Sequence, residues 1–291
     1  MPSLGLAWTA VCELVSQQRS PRKTEPDLVM DDPANVAAYV EAGRERGVMA
    51  PVYLYHCANI CEVIRPGDTV VDLACGPANQ LAMVARLNPD INFIGVDLSE
   101  PMLERARDLI ARQGLNNVTF RHGDITDLSF FGDKSIDAVM STMALHHLPT
   151  VDMLRQTYAE VARILKPGGG VYMVDFGHLK RPKSIDYFAN QYADRQPHLF
   201  TVDYFNSLWA AFYPSDFRHA VKPLEGRAQL FSTVVLPFML ALKSPRRREP
   251  DPALMEQIGQ LQAALPAYHR GDFFDLRLHF GIKGMWSRLL R

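Results

Sequence analysis

The sequence predicts an α/β fold, a mainly parallel sheet covered by helices and carried by the middle of the chain. Three observations predict it. From Asp68 to Phe176, short β-branched runs alternate with helical stretches, as in strand–helix–strand units whose helices cover both faces of a sheet. One strand runs into a turn of small residues at Ala74–Ala78, at the strand end where open α/β sheets bind ligands. The composition of the 291 residues, 47% hydrophobic and 22% charged, fits a folded domain and excludes whole-chain disorder or a fibrous repeat.

Residues 1–66 read as helices with polar breaks. The opening MPSLGLAWTAVCELVSQQ lacks the basic start of a signal peptide, and Glu13 interrupts its apolar run, so it reads as an amphipathic helix. QQRSPRKTEPD is a loop by its proline and charge content. A helix begins at Asp32-Pro33, cap residue then proline, and runs through Val36, Tyr39 and Val40. Another covers Pro51 to Ile64 and stops before Pro66-Gly67.

The strands expected next are TVVDLA, FIGVDL, VTFRHGD, IDAVMS and GGVYMVDF. Ser99 caps a helix from Glu100 that buries Met102 or Leu103, Ala106 and Ile110; a second helix, Asp152 to Leu165, carries the stripe Leu154, Tyr158, Val161, Leu165. After Phe176 the alternation stops. Residues 178–225 are rich in aromatics and read as helices, and RAQLFSTVVLPFMLALKS reads as two strands around a short turn. Arg246-Arg247-Arg248, set among prolines, reads as a solvated linker before a helical tail.

Charge, hydropathy and cysteine content weigh against several function classes. With 31 basic and 32 acidic side chains the formal charge is -1, which argues against a nucleic-acid substrate. The longest uncharged apolar run, Thr233 to Leu242, falls far short of the roughly 20 residues that span a bilayer, so no membrane partner is expected. Four cysteines (Cys12, Cys57, Cys61, Cys75) in a chain of this length make no disulfide framework, and a cytoplasmic location is expected. Cys57 and Cys61 share a helical face, but no second pair follows, so they read as core residues and no metal site is expected.

The chemistry is carried by Val70-Val71-Asp72-Leu73-Ala74-Cys75-Gly76-Pro77-Ala78-Asn79: a strand ending in a carboxylate, a small-residue turn, and a helix start. Neither glycine-rich phosphate pattern is present. A carboxylate before the turn has the wrong sign for a phosphate and suits an ammonium group. Asp97, at the end of the second strand, can accept hydrogen bonds from a ribose diol. Asp124 follows the third strand and can accept from an adenine amine while Ile125 packs on the ring. The implied ligand joins adenine, ribose and a cationic amino-acid end, without phosphates.

On these pieces the sequence resembles the class I S-adenosylmethionine-dependent methyltransferases, in their small-molecule branch. VVDLACGPANQLA, FIGVDLSEPMLERAR, GDITDL, IDAVMSTMALHHLP and LKPGGGVYMVDF stand in the family's order over about residues 66–177. The resemblance implies a Rossmann-like seven-stranded sheet with an antiparallel last strand, the final hairpin lying at about 227–242. It implies S-adenosylmethionine as cofactor and a small-molecule acceptor; a homo-oligomer is compatible with it. The organisation it implies is a helical extension or lid (1–66), a cofactor-binding core (67–243) with a helical cap at about 178–225, and a linker with helical tail (244–291).

By matched position, Asp72 would lie near the methionine amine, Ala74 and Gly76 in the close-approach turn, Asp97 on the ribose, Leu98 and Met102 beside the adenosine, and Asp124 with Ile125 at the adenine. Ser141, in the fourth strand, is the remaining cofactor candidate. Ala74 and Ala78 depart from the family's usual glycines, and Ala78 would add a methyl group near the ligand or the helix packing. His146, beside His147, and Asp175 and His178 after the fifth strand are the catalytic or substrate-contact candidates, because they fall at the rim where the methyl group sits. Tyr39, Tyr53, Tyr55 and His56 belong to helices that in this family often fold over the cofactor. Three alternatives stand beside this reading: a non-catalytic cofactor-binding regulatory or assembly protein, a protein or nucleic-acid methyltransferase, and arsenite methylation through the Cys57 and Cys61 thiolates.

Overall fold

The computed structural model describes residues 4–26, 32–43 and 47–290. Three helices come first: α1 (Leu4–Val15), α2 (Pro33–Ala42) and α3 (Ala50–Val63). The alternating region follows as β1 (Thr69–Leu73), α4 (Asn79–Leu87), β2 (Asn92–Asp97), α5 (Glu100–Arg112), β3 (Val118–His122), β4 (Ile136–Thr142), α6 (Val151–Ile164) and β5 (Leu165–Phe176). The cap contributes α7 (Pro182–Asn190), α8 (His198–Ala210) and α9 (Pro214–Ala220); then come β6 (Gln229–Ser232), β7 (Met239–Lys243), α10 (Pro252–Ala264) and α11 (Ala267–Gly281).

The seven strands form one sheet in the order β3-β2-β1-β4-β5-β7-β6. The first five are parallel, and β7 runs antiparallel between β5 and β6. Central strands are covered on both faces, which is why Val70-Val71 and Val171 to Val174 are unbroken apolar runs rather than alternating ones. The crossover helices keep the predicted stripes. Ser99 Oγ accepts from the Met102 amide, and α5 buries Met102, Leu103, Ala106 and Ile110. Thr150 caps α6 on the Met153 amide, and α6 buries Leu154, Tyr158 and Val161. Leu165, expected as the last residue of that stripe, instead opens β5.

The segment expected as a lid divides in two. α2 starts where predicted, with Asp32 accepting from the Ala34 and Asn35 amides at 3.0 Å each. α3 is no lid: it buries thirteen of its fourteen side chains, against the sheet on one side and α11 on the other. A helix covered all round must pair its polar groups. His56 Nδ1 lies 2.7 Å from the Tyr172 hydroxyl, and Lys243 Nζ donates to Asn59 Oδ1 and Glu62 Oε2 at 2.8 and 2.5 Å. Glu62 also accepts from the Arg288 amide at 2.6 Å, which ties the end of the chain to the core.

The arginine run is likewise not a solvated linker. Arg247 donates to Asp68 Oδ2 at 2.5 Å and to the Val63 carbonyl at 3.1 Å, and Arg248 donates to Asn88 Oδ1 at 2.8 Å. Asp68 is buried just before β1, so the Arg247 guanidinium joins the neighbouring Arg65 in neutralising its carboxylate. The four cysteines are free, with Cys57 and Cys61 wholly buried in α3. Among the described residues no helix is long and apolar enough to cross a membrane.

Candidate active site

The turn after β1 is built by alternate residues in the left-handed region: Ala74 at φ 53°, Gly76 at 52° and Ala78 at 63°. The Cys75 amide donates to the Val96 carbonyl at 3.0 Å, continuing the β1–β2 pairing beyond the strand. Asp97 then holds the turn from above β2, its Oδ2 accepting from the Gly76 amide at 2.7 Å and its Oδ1 from the Ser99 amide at 2.9 Å. A Cβ built on Gly76 would meet nothing within 4 Å, so the backbone there is open to a ligand. Ala78 is fully buried at the start of α4; its methyl group enters the core and not the ligand space.

Around this turn lies a cavity walled by Asp72, Ala74, Gly76, Asp97, Leu98 and Met102, with Asp124 and Ile125 at the end of β3. Eight of the nine cofactor candidates thus meet at one place. The ninth does not: Ser141 is buried and its hydroxyl donates to the Leu73 carbonyl at 2.8 Å. Side chains alternate along a strand, so Ser141 turns away while its neighbour Thr142 faces the cavity. Tyr39 and Tyr53 also reach this wall, and burial pushes the Tyr53 phenol up to about 12. Tyr55 and His56 instead join the core beside Phe280 and Tyr172.

The electrostatics of the cavity favour a cation. Burial, reinforced by Asp97, raises the Asp72 carboxyl well above its usual range. Burial raises Asp97 as well, against the opposing pull of the Ser99 and Gly76 amides. Two desolvated carboxylates on one wall gain from any positive group placed between them. Asp124 braces its own loop, Oδ1 accepting from the amide and hydroxyl of Thr126 at 2.8 Å each.

The rim candidates separate. His146 and Asp175 are brought together: His146 Nδ1 lies 2.7 Å from Asp175 Oδ1, and the His146 amide donates to Asp175 Oδ2 at 2.8 Å. Both are buried, and the imidazole that reaches the cofactor cavity is that of His147. His178 lies apart from this pair. Its Nε2 is 3.0 Å from the Ser20 carbonyl, which also accepts from the Tyr213 hydroxyl at 2.7 Å. It anchors the segment following α1.

That segment, residues 16–26, has no regular secondary structure and lies as a strap across the sheet edge. Arg22 donates to the carbonyls of His146, Leu148, Pro149 and Ala210 at 2.6–2.9 Å, and its guanidinium stacks 3.8 Å above the Phe212 ring. Part of the aromatic stretch therefore serves as a bed for the strap; Lys23 similarly sits 3.9 Å over Trp209. Another part, including Phe188 and Tyr204, joins Phe176, Leu236 and Phe238 around a second cavity of about 450 Å³, with Leu6, Ala10 and Val11 of α1 closing one side. Met143 borders both cavities. Sequence reasoning missed Met143, the strap and α1's place here, because no local pattern reports which surfaces later face each other.

Residues 70–169 match the family model described as a methyltransferase domain. That stretch is a methyltransferase domain. Among its relatives, it is 37% identical over 107 residues to demethylmenaquinone methyltransferase of Symbiobacterium thermophilum, covering 36% of this chain and 41% of that one. It is 33% identical over 111 residues to arsenite methyltransferase of Halobacterium salinarum, covering 38% and 27%. The matches span less than half the length of these curated relatives. Among solved structures the fold is similar to an O-methyltransferase family protein from Burkholderia thailandensis, with TM-score 0.56 and 20% identity over 84% of this chain and 70% of that one. It is also similar to a SAM-dependent methyltransferase from Aquifex aeolicus, with TM-score 0.53 and 14% identity over 74% and 98%.

The methyltransferase domain's cavity fits its cofactor on its own chemistry. The buried Asp72 carboxylate suits an ammonium, the space at Gly76 admits close approach, and Gln80 Oε1 lies buried on the same wall without a hydrogen-bond partner.

Proposed function

We propose that this chain methylates a small, largely apolar acceptor that binds in the cavity walled by Phe176, Tyr204 and Phe238. The carrying observation is Met143, which separates that cavity from the cofactor cavity and borders both. In this reading Asp72 faces the methionine ammonium, Asp97 the ribose diol, and Asp124 with Ile125 the adenine. The cofactor supplies a methyl group on a sulfonium, already activated for in-line displacement. The protein's own task is then to align the acceptor and exclude water. Aromatic side chains of the cap and the apolar face of α1 exclude water, and the strap held by Arg22 closes the rim near His146–Pro149.

The relatives are named for demethylmenaquinone and for arsenite. An apolar enclosure of about 450 Å³ supports an organic acceptor. Arsenite transfer through Cys57 and Cys61 loses support, because both thiols lie in the core, where the Asn88 amide donates to Cys61 Sγ at 3.3 Å. A space beside the cofactor cavity also supports transfer over cofactor binding alone.

The test pairs calorimetry with S-adenosylhomocysteine and transfer of labelled methyl to apolar and polar hydroxyarenes of matched size. Saturable cofactor binding and transfer to apolar acceptors are expected. Phe238→Arg should abolish transfer while leaving S-adenosylhomocysteine affinity within two- to three-fold, roughly the scatter of a surface change. Undiminished transfer by that variant would overturn the acceptor site; absence of cofactor binding would overturn the whole reading.

A further inference from the structure

Beside the cofactor cavity, donors from two distant parts of the chain converge. The strap brings in Glu25, and the 3-10 turn after β4 brings in His146 and His147. One ligand atom from each lies within 4.8 Å of the others. Glu25 Oε1 stands 4.0 Å from His146 Nε2, too far for a hydrogen bond, and it is buried without any hydrogen-bond partner although its side chain is only 5% exposed. A buried carboxylate oxygen left unpaired is costly, so something of opposite charge is called for. We propose that Glu25, His146 and His147 bind a divalent transition-metal ion.

The geometry is of the right size. Ligand atoms about 2.0–2.2 Å from a shared ion are separated by roughly 3.3–4.2 Å, and modest side-chain rotation brings this trio into that range. The orientation is set as well. His146 spends Nδ1 on Asp175, which directs Nε2 towards Glu25. A carboxylate behind a ligating imidazole is the usual way to fix its tautomer and raise its basicity. Asp175 is itself held by the amides of His146 and Phe176, at 2.8 and 2.6 Å. The His146 and His147 rings lie 4.4 Å apart, so both can serve one centre.

Further polar groups surround the trio. Glu25, Asp175 and Asp203 act on one another and on His146 in a buried setting where Arg22 is the adjoining cation. Two imidazoles and one carboxylate suit zinc, cobalt or ferrous iron better than magnesium or calcium, which prefer all-oxygen shells. Three protein ligands leave coordination positions free, and His147 already forms part of the cofactor cavity wall. The ion would also fasten the strap to the sheet edge.

The test uses the full chain, stripped with a chelator and titrated with Co²⁺ alone. One Co²⁺ per chain, with visible bands of nitrogen and oxygen ligation and displacement by Zn²⁺, is expected. Glu25→Gln and His147→Gln should each weaken binding at least ten-fold, and Asp175→Asn, which acts only by positioning His146, by 10–100-fold. The Cys57→Ser, Cys61→Ser double variant should bind as the native chain does. Circular dichroism of each metal-free variant separates lost ligation from lost folding. No Co²⁺ binding by the native chain, a thiolate charge-transfer band, or full affinity in a folded Glu25→Gln variant would overturn the proposal.

Discussion

The Asp97 carboxylate accepts the Gly76 amide hydrogen bond at 2.7 Å, joining the end of β2 to the turn that leaves β1. One residue thus shapes the cavity and lines it, because each carboxylate oxygen retains a second lone pair for a ligand hydroxyl. Asp97→Ala should weaken S-adenosylhomocysteine binding by about 1.5–3 kcal/mol, the worth of a hydrogen bond to a charged group. Asp97→Asn, which keeps one acceptor oxygen, should lose less. Calorimetry on the two variants checks the order.

The two alanines of the turn carry different balances. A left-handed alanine costs about 1–2 kcal/mol, and glycine returns about 0.4–1 kcal/mol of that to the unfolded chain. Ala74 is only half-buried, so Ala74→Gly should stabilise by about 0.5 kcal/mol. Ala78 also buries its methyl group, worth about 0.8 kcal/mol, so Ala78→Gly should fall within about 0.5 kcal/mol of neutral. Urea unfolding of the two variants would reveal the difference, and equal effects would refute it.

Arg22 is the clamp of the strap. Arg22→Ala removes its bonds to four carbonyls and its stacking on Phe212, and should cost at least about 2 kcal/mol. The loss should be local. Hydrogen exchange should accelerate at the Ser20 and Lys23 amides, which donate to Lys180 and Trp209, while β1 and β4 amides stay protected.

His56 makes stability depend on pH. Burial depresses its pKa from 6.5 to about 3, so the folded chain excludes a proton that the unfolded chain takes up. Its contribution is therefore complete above pH 6.5 and is lost as pH falls from there towards 3. At pH 5 the loss amounts to about 2 kcal/mol. His56→Gln, which can still meet the Tyr172 hydroxyl, should flatten the native chain's decline between about pH 7 and 5. Parallel slopes for the two proteins would show that His56 is not responsible.

The strands and the residues that line the cavity beyond them were legible because their signals are local. A strand ending in Asp72, Asp97 or Asp124 carries its carboxylate to the same sheet edge whatever surrounds it, since parallel strands share a direction. Ser141 failed by one residue of alternation. Local pattern also reported α3 as a helix, but not that it would be covered on every side, since that depends on where α11 comes to rest.

Local pattern and the family resemblance determined the fold class, the seven strands and eight candidates that meet at one cavity. Tertiary structure alone decided what stands around them. It seated Glu25 beside His146, Arg247 on Asp68 and α1 across a cavity from Phe176 and Phe238, pairings that join residues far apart along the chain. No periodicity records such pairs; they arise because burial forces charges to find partners and apolar faces to find cover. The apolar cavity between α1 and the cap is made wholly of such contacts.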